Sequence, residues 1–461
     1  MTRTRRPCGR SFASVLLAGT GIALGCALLA GCATVRRARA AQDASRAPAG
    51  ERTVRAAELG LSSNSVLTLD EALRIALTCQ ASVVQASQNL VAASAQFREA
   101  RAAYWPAADA SAGYQRGTAN SAASKASSHS SDSYSGSLNL SLLIYDFGKT
   151  PAVVRQAYER RLAAEESLRS AQNDTIFGVR SAFYDLCKQQ ELLQVAEDAV
   201  RQFQAHLEQA RAFADVGRRT RYDVRKAEVD LGNAQLDRIN ARNAVNAARA
   251  TLNRSLGLAE RPQYGVGQPP SDDIAGNAEQ LMAVARERHP RVRALKAQER
   301  SASAAVDAAI ADLYPSLALQ GQYSESGSHL PLTWNWSAGV RSVFEIFTGW
   351  LKTGRIDEAA AQLRAARSQV ADQEQQIYLD LSLALNTLDG ARQRMTLTEL
   401  ILRQARESLE LVSERYKVGQ ASAVDVTDAE VTVTSARANQ VTARFDYQTA
   451  VAQIKHAIGD T

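Results

Sequence analysis

The sequence predicts a mainly α-helical protein with a smaller membrane β-structure, built from two copies of one helix–hairpin–helix unit. Three observations lead to this fold class. A frame of V-G, five residues, D-V, two residues and A-E-V occurs at residues 216–229 and again at 418–431. Long proline-free windows are rich in strong helix formers. Between them, two segments change from a hydrophobic period of about 3.6 residues to a period of about 2.

The N-terminus is typical of an export signal. The first 31 residues contain four arginines and no acidic residue, and an apolar run extends to Ala30. The run ends in Leu-Ala-Gly-Cys, which resembles the lipobox of bacterial lipoproteins, so Cys32 is predicted to be the acylated first residue of the mature chain. Ordinary cleavage after residues 38–40 is the alternative. Residues 1–31 are assigned to a lipoprotein-type signal peptide and residues 32–66 to an N-terminal extension.

The composition favours neither a nucleic-acid-binding protein nor an enzyme. The chain has 54 Lys and Arg against 48 Asp and Glu. Cleavage of the leader would remove four of the arginines, so the net charge of the mature chain is nearly balanced. None of the short motifs of phosphate-binding loops, serine hydrolases or zinc proteases is present. We expect no catalytic site, cofactor, metal or nucleic-acid partner. No apolar run of about 18 residues follows the leader, so no transmembrane helix is expected.

Two cysteines remain after Cys32, and both lie in helical patterns among apolar neighbours. Cys79 and Cys187 are expected to be small buried residues. A disulfide between them is the alternative that the oxidising periplasm leaves open.

The first repeat is assigned to residues 67–260. No proline lies between Pro151 and Pro262, and residues from Pro151 to about Asp215 are predicted to form a single helix. A helix of that size is on the order of 95 Å long and needs a coiled-coil or helical-barrel setting, because no compact domain can bury it.

The second repeat is assigned to residues 277–461, and a linker rich in Pro and Gly over 261–276 joins the two. No proline follows Pro331, so the same long helix and return helix are expected again. The duplication extends beyond the opening frame to three further pairs of matching segments: 99–114 with 308–323, 142–157 with 344–359, and 254–258 with 456–460.

Each repeat contains a predicted β-hairpin, at about 107–146 in the first copy and at about 316–347 in the second. In the first hairpin we expect strands over 107–116 and 134–145 and a serine-rich loop over 117–133. Along these strands apolar residues alternate with polar ones, which gives each strand one apolar and one polar face. A membrane β-barrel requires this pattern, with apolar residues toward lipid and polar residues toward a wet lumen.

Aromatic residues lie near both ends of the predicted strands. Two such bands suit the two interfaces of a membrane, and outer-membrane lipid is therefore an expected partner. Two surface hairpins on a soluble sheet are the alternative. One band comprises Trp105, Tyr145, Tyr314, Phe347 and Trp350, and the other comprises Trp334 and Trp336.

Four strands are too few to close a barrel, because the smallest stable barrels have about eight. An open sheet edge in lipid would leave backbone groups unpaired. If the strands cross a membrane, several chains must share one barrel, so the strand count predicts a homo-oligomer.

The order and duplication of these motifs resemble the TolC-like outer-membrane efflux proteins. The resemblance is carried by the repeated unit, by the Tyr-Asp-Phe-Gly sequence at 145–148 before the long helix, and by the repeated V-G frame, and it extends from about Leu67 to Gly459. It implies a homotrimer whose 12-stranded outer-membrane β-barrel continues as a 12-helix periplasmic α-barrel. It also implies a periplasmic adaptor protein and a proton-driven or ATP-driven inner-membrane pump as partners.

By the same resemblance, the duplicated frame is the helix–helix turn at the periplasmic tip. Gly217 and Gly419 would end the outgoing helices, since glycine closes a helix in a left-handed turn without a Cβ clash. Asp223 and Asp425 follow where the return helices begin, and a carboxylate there favours the positive helix end. Capping alone is the alternative for both aspartates, and we favour it for Asp223.

The resemblance also places a gate in the second copy. Asp425 and Asp428 match the two acidic positions of the family's entrance constriction, and Tyr416 matches a tyrosine that helps to hold it closed. Rings of carboxylates attract cations. Where the family prototype has an arginine, this chain has Ala421, which leaves the closing contacts open.

The predicted function is a passive outer-membrane exit duct of a Gram-negative bacterium, anchored by lipid, with its helices in the periplasm. It would be gated at its periplasmic tip and energised by the partner pump. One alternative is the outer-membrane component of a type I protein secretion system rather than of a drug pump. A more remote alternative is a periplasmic coiled-coil scaffold without a barrel.

Overall fold

The computed structural model of the chain describes most of both predicted repeats. The predicted signal peptide, Cys32 and Gly217 lie outside the described part, and so do most of the N-terminal extension and of the linker. The described residues are 36, 39, 66–119, 129–216, 220–258, 262, 264–267 and 278–459.

The first copy consists of two short helices, a β-hairpin and two long helices, preceded by a short strand. In chain order these are β1 (Val66–Leu67), α1 (Leu69–Cys79), α2 (Ala81–Ala102), β2 (Ala107–Ala119), β3 (His129–Tyr145), α3 (Lys149–Asp215) and α4 (Arg221–Ser255).

The second copy repeats this order with nearly the same element lengths. Its elements are β4 (Gly265–Val266), α5 (Ala278–Arg288), α6 (Pro290–Ala311), β5 (Ser316–Gly327), β6 (Thr333–Val343), α7 (Leu351–Lys417) and α8 (Ala423–Ile458). The paired helices α1 and α5 have 11 residues each, and α2 and α6 have 22 each.

The longest helices, α3 and α7, have 67 residues each. At about 1.5 Å per residue, each is about 100 Å long. Helix α3 covers the window that the sequence predicts and begins two residues before Pro151, because proline is tolerated in a first helical turn, where its missing N–H has no intrahelical partner. No helix within the described residues combines the length and the apolar character that crossing a membrane needs.

The long helices form two antiparallel hairpins, α3 with α4 and α7 with α8, and the hairpins meet where α3 packs against α8. The largest core cluster joins α1, α3, α4 and α8 and includes Phe183, Tyr184 and Phe445. A second cluster joins α5 to α8 through Leu381 and Ile454. Smaller clusters continue along each hairpin, as expected for helices that bury one apolar stripe.

Each return helix meets one of the short helices end to end, and a glycine allows the close approach. Gly257 (φ +77°) ends α4, and a Cβ added there would lie 2.8 Å from the carbonyl oxygen of Cys79. Gly459 (φ +72°) ends α8, and a Cβ there would lie 2.8 Å from Cδ of Pro290. Both positions require glycine because of the left-handed backbone and the lack of space.

The hairpins of the two copies form one antiparallel sheet in the order β2-β3-β5-β6. Its register places apolar residues of neighbouring strands side by side: Leu142 pairs with Leu319, which pairs with Val340. On the other face Asn139 pairs with Asp109 and donates a hydrogen bond of 2.8 Å to its carboxylate. We call these the apolar sheet face and the polar sheet face.

The first hairpin is longer than the sequence predicts. Strands β2 and β3 extend into the expected serine-rich loop, to Ala119 and from His129. Cross-strand side-chain contacts support the extension, because the Tyr114 hydroxyl donates to Asp132 (2.9 Å) and Arg116 donates to Ser130 (3.4 Å). In the second hairpin β6 ends at Val343 rather than at about 347, since β5 begins at Ser316 and offers no partner beyond it.

The predicted linker contains a short element of structure. Its strand β4 pairs in parallel with β1, so that Gly265 lies opposite Val66 and Val266 opposite Leu67. The carbonyl of Gly267 is 3.8 Å from the Cys187 sulfur. Cys79 and Cys187 are free thiols, so the disulfide alternative is wrong.

Candidate functional site

The end of α7 has a complete glycine cap. Gly419 has φ +82°, its N–H donates to the Tyr416 carbonyl (3.1 Å), and the N–H of Gln420 donates to the Arg415 carbonyl (2.8 Å). These two bonds define a Schellman motif, which satisfies carbonyls that the helix end would otherwise leave unpaired. The turn has the geometry expected for Gly419, and its position at a periplasmic tip stays a prediction.

Tyr416 joins the two helical hairpins beside this turn. Its side chain is buried and packs with Ala423 and Val426 of α8. Two rings of α3 flank it: the centroid of Phe213 lies 6.1 Å away and that of His206 lies 6.0 Å away. Burial lowers the pKa of His206, so its imidazole is neutral at neutral pH. Tyr416 therefore fixes the end of α7 against the first copy.

Asp425 begins α8 in a capping box with Ser422. The N–H of Ser422 donates to the Asp425 carboxylate (2.8 Å), and the N–H of Asp425 donates to the Ser422 hydroxyl (3.2 Å). These hydrogen bonds, together with the positive charge of Arg415, lower the pKa of Asp425. The carboxylate is exposed and ionised at neutral pH.

Asp428 lies on the same helix, three residues after Asp425, and its side chain is exposed. Residues at this spacing lie on one helix face. A single chain thus presents two exposed carboxylates next to the turn, while their meeting with those of other chains stays a prediction.

The first copy starts its return helix in the same way. Thr220 and Asp223 form a capping box, in which the Thr220 N–H donates to the carboxylate (3.1 Å) and the Asp223 N–H donates to the hydroxyl (3.4 Å). The aspartate thus has a capping role in both copies, and an additional gate role for Asp425 stays a prediction. Gly217 lies outside the described residues, so the preceding turn is not compared.

The band of aromatic residues nearest the helices lies at the two strand-to-helix junctions. Phe147 stacks on Tyr314 with ring centroids 5.5 Å apart, and it makes an edge-type contact with Tyr145, with centroids 4.8 Å apart. At the second junction Phe347 and Trp350 are 6.4 Å apart. These side chains are exposed in the single chain, and so is Trp105 before β2.

Both junctions turn through two consecutive residues of positive φ. In the first copy these are Phe147 (+54°) and Gly148 (+97°), and in the second they are Gly349 (+63°) and Trp350 (+66°). The turn is thus the same in both copies, but glycine and the aromatic residue exchange places. An aromatic residue at positive φ has a strained backbone. Such strain persists only where the surrounding structure holds the residue in place, so the aromatic residue is fixed at each junction.

The second band lies farther along the sheet. Trp336 pairs with Tyr323 and Trp334 pairs with Glu325, several residues beyond the junction end of β5. Tyr114 and Tyr134 pair on the first hairpin with centroids 5.1 Å apart. All five aromatic side chains of this band are exposed, so the sheet has aromatic residues at two levels, with the apolar sheet face between them.

Sequence reasoning missed several of these residues. The caps Ser422 and Thr220 could have been found, because Ser or Thr three residues before an acidic residue is a known helix-start signal. Phe213 and His206 give no local signal, since they contact a residue of the other copy. Within the described residues, no three His, Cys, Asp or Glu side chains are placed to hold a metal ion.

Comparison with known families gives a match to each copy. The family model described as "Outer membrane efflux protein" matches residues 72–258 and 281–460. The two ranges correspond to the first and the second repeat, and the predicted linker falls between them.

Individual relatives match over most of their length. "Outer membrane efflux protein BepC" of Brucella suis biovar 1 is 26% identical over 326 residues, which are 70% of this chain and 71% of that protein. "Alkaline protease secretion protein AprF" of Pseudomonas aeruginosa is 22% identical over 343 residues, which are 71% of this chain and 70% of that protein.

Solved structures share the fold. A membrane protein from Pseudomonas aeruginosa superimposes with a TM-score of 0.76 at 22% identity, over 85% of this chain and 90% of that one. At this identity the likeness concerns the fold, which is that of TolC-like channels.

Proposed function

Because the chain belongs to the outer membrane efflux protein family, we propose that it is a passive exit duct of the outer membrane, opened and closed at its helical tip. The observation that carries this proposal is the sheet register. It aligns apolar residues of four strands on one face, directly above helices about 100 Å long. In such a protein the apolar face of the sheet contacts lipid, and the long helices form the wall of a tunnel outside the membrane.

The duct is a homotrimer in this proposal. Strands β2 and β6 are the two edges of the sheet, and neither has a further partner strand among the residues that the structure describes. Edges in lipid must pair, because no water is available to satisfy their backbone groups. Three chains give 12 strands, enough for a closed barrel, and their long helices give 12 positions around the tunnel.

The partners are a periplasmic adaptor and an inner-membrane pump, proton-driven or ATP-driven. Each chain has two turns between long helices, so a trimer has six tips for an adaptor to meet. The caps at Thr220 and Ser422 give the two tips related shapes. The chain itself needs no energy source in this scheme, because gating is its regulated step.

The gate consists of Asp425 and Asp428 of three chains, with Tyr416 as the residue that holds α7 against the first copy. Six carboxylates around a narrow opening attract cations and repel anions. Support comes from the exposure of both carboxylates in the single chain and from the burial of Tyr416 between the hairpins.

Two kinds of cargo remain candidates. Efflux of small molecules is supported by the likeness to a protein named for efflux, and export of proteins by the likeness to one named for alkaline protease secretion. The predicted acylation of Cys32 favours the efflux branch. The cargo assay is a growth test of a deletion strain against a panel of drugs, together with the protein content of its culture medium.

The proposal is tested by purifying the mature protein in detergent, measuring its oligomeric mass and recording its conductance in a planar bilayer. A trimer that forms a cation-preferring pore is expected. A monomer that stays in the aqueous phase without detergent would instead support a periplasmic scaffold and end the proposal. Mass spectrometry of the N-terminal peptide decides whether Cys32 carries lipid.

A further inference from the structure

Two ion pairs join the helical hairpins along the contact between α3 and α8. Arg444 of α8 pairs with Glu191 of α3, and Arg437 pairs with Asp198 at 2.5 Å. From one pair to the next, each helix advances by seven residues in opposite directions, as in an antiparallel coiled coil. We call this row of positions the inter-hairpin seam.

The next step toward the tip breaks the pattern. The same interval leads to Glu430 on α8 and to Ala205 on α3, so a carboxyl group stands where the previous two steps have arginine, and no charge stands opposite it. The Oε2 atom of Glu430 is inaccessible to solvent and has no hydrogen-bond partner. Glu430 as a whole is half-buried, but an ionised carboxylate with one oxygen enclosed and unpartnered is unfavourable, because nothing replaces the water that this oxygen loses.

The apolar surroundings of Glu430 further destabilise its ionised form. On α8 it lies between buried Val426 and Val433, and α7 adds apolar Val412 and Leu409 next to them. On α3, His206 follows Ala205 in the chain and is buried and neutral at neutral pH. Burial and Asp230 of α4 account for the raised pKa of Glu430, so no positive charge of α3 or α7 compensates its carboxylate.

On α4 the nearby charges also disfavour ionisation of Glu430. Asp230 repels a second negative charge, and its own partner Lys226 is already engaged at 3.0 Å. Burial, with a smaller contribution from Asp230, raises the pKa of Glu430 from 4.5 to about 7. The packed seam thus favours the neutral form of Glu430. The stability that neutral Glu430 allows the seam is fully present below about pH 4.5 and is lost as the pH rises toward 7.

We propose that Glu430 is a proton-operated latch that keeps the tip end of the two hairpins together while it is protonated and loosens it when the proton leaves to water. The two arginine pairs hold the rest of the seam, so the loosening is confined to the tip. Tyr416 and Phe213 lie in the part that is released. The latch regulates the proposed duct, so this inference rests on the proposed function.

The first test compares the conductance of the reconstituted wild-type channel at about pH 5.5 and about pH 8 on the tip side. The open probability should rise several-fold with pH. Glu430→Gln should remain at the low level at both values, since it keeps the shape and cannot ionise. Exposed Glu407 on α7 is the control, and Glu407→Gln should behave as the wild type. The latch is overturned if the open probability of the wild type does not change with pH, or if the pH-dependent change persists in Glu430→Gln.

A second variant adds an ion pair at the third step of the inter-hairpin seam and keeps the carboxyl group of Glu430. Ala205 is exposed on α3, so Ala205→Arg has room to place a guanidinium opposite Glu430, as Arg437 stands opposite Asp198. The pair should hold the seam closed with Glu430 ionised. The channel should then stay in its low-conductance state at about pH 8, and combining it with Glu430→Gln should leave it low. An Ala205→Arg channel that still opens with rising pH contradicts the assignment.

A third measurement reads the seam without requiring a pore. Hydrogen–deuterium exchange of peptides over 423–437, corrected for the intrinsic pH dependence of exchange, should speed up at about pH 8 in the wild type and not in Glu430→Gln. If exchange changes but no variant conducts, the proposed function fails and the latch stands. If the channel conducts and exchange does not change with pH, the latch fails and the proposed function stands.

Discussion

Tyr416 of α7 lies against Phe213 of α3, with the two ring centroids 6.1 Å apart and the ring planes inclined at 57°. Each residue belongs to the last turn of a 67-residue helix, one from each copy of the repeat. The contact thus joins the hairpins next to the described α7–α8 turn, where a small separation would have the largest effect on the width of the proposed entrance.

Removing one of these rings should loosen the tip without unfolding the protein. Phe213 is half-buried, so Phe213→Ala should cost about 2 kcal/mol, less than truncation of a fully buried ring. The expected result is a higher open probability in bilayer recordings. Tyr222→Ala serves as the control, because Tyr222 is exposed near the same tip. Equal records for the two variants would argue against the contact as a closing element.

The acidic residues can be separated into a cap and a gate. Asp428 takes no part in the capping box, so Asp428→Asn should raise conductance and reduce cation preference, each by roughly twofold, without weakening the start of α8. Asp425→Asn should act on both. Asp223→Asn removes the equivalent capping carboxylate from the first copy and controls for the cap. If Asp223→Asn alters selectivity as much as Asp428→Asn does, the gate assignment is wrong.

The two acid-sensitive elements should also respond at different pH. The pKa of Asp425 is lowered by its hydrogen bonds with Ser422, so the stability that the cap provides is present above about 3.8 and is lost only as the pH falls below that value. A conductance change near neutral pH should therefore survive in Asp425→Asn. Its disappearance there would assign the neutral-pH response to Asp425 rather than to Glu430.

Two glycines should be sensitive to the smallest substitution. Gly459→Ala and Gly257→Ala combine an unfavourable positive φ with a contact of 2.8 Å, so each should lower the free energy of unfolding by about 2 kcal/mol. Gly178→Ala, in the middle of α3 with open space around it, should stabilise the protein by about 0.5 to 1 kcal/mol. Thermal denaturation in detergent measures all three. A stabilising Gly459→Ala would contradict the end-to-end contact of α8 and α6.

The four tryptophans of the chain permit a test without mutation. Trp105, Trp334, Trp336 and Trp350 are all exposed and all lie in the two aromatic bands of the sheet. If the bands lie at membrane interfaces, lipids brominated near the headgroup should quench the fluorescence more than lipids brominated near the chain end. Quenching by a water-soluble agent alone, with no effect of either lipid, would place the sheet outside the bilayer.

The long elements could be predicted from the sequence because their signals are local. Helix α3 needed only the absence of proline and a supply of helix formers, and the duplicated frame then located α7. The ends of β2 and β3 were missed because Ser130 and Asp132 have little tendency to form strands by themselves. Their structure depends on cross-strand partners such as Arg116 and Tyr114, which a single segment does not reveal.

The site was predictable only in part, for the same reason. Gly419 and Asp425 lie at a turn and at a helix start, where residue type and position are linked. Phe213, in contrast, meets Tyr416 across the whole length of a repeat. The enclosure of the Glu430 Oε2 atom likewise depends on the packing of α8 against the other helices, which no short motif encodes.

If the chain forms the proposed duct, the edge strands β2 and β6 of the described sheet impose an order on its biogenesis. A lone subunit that entered the bilayer would have to leave both edge strands unpaired there, so insertion should wait until neighbouring subunits are in place. The appearance of inserted protein should then rise more steeply than linearly with the concentration of the newly exported chain. Assembly, rather than the folding of any one subunit, becomes the slow and concentration-dependent step in making the duct.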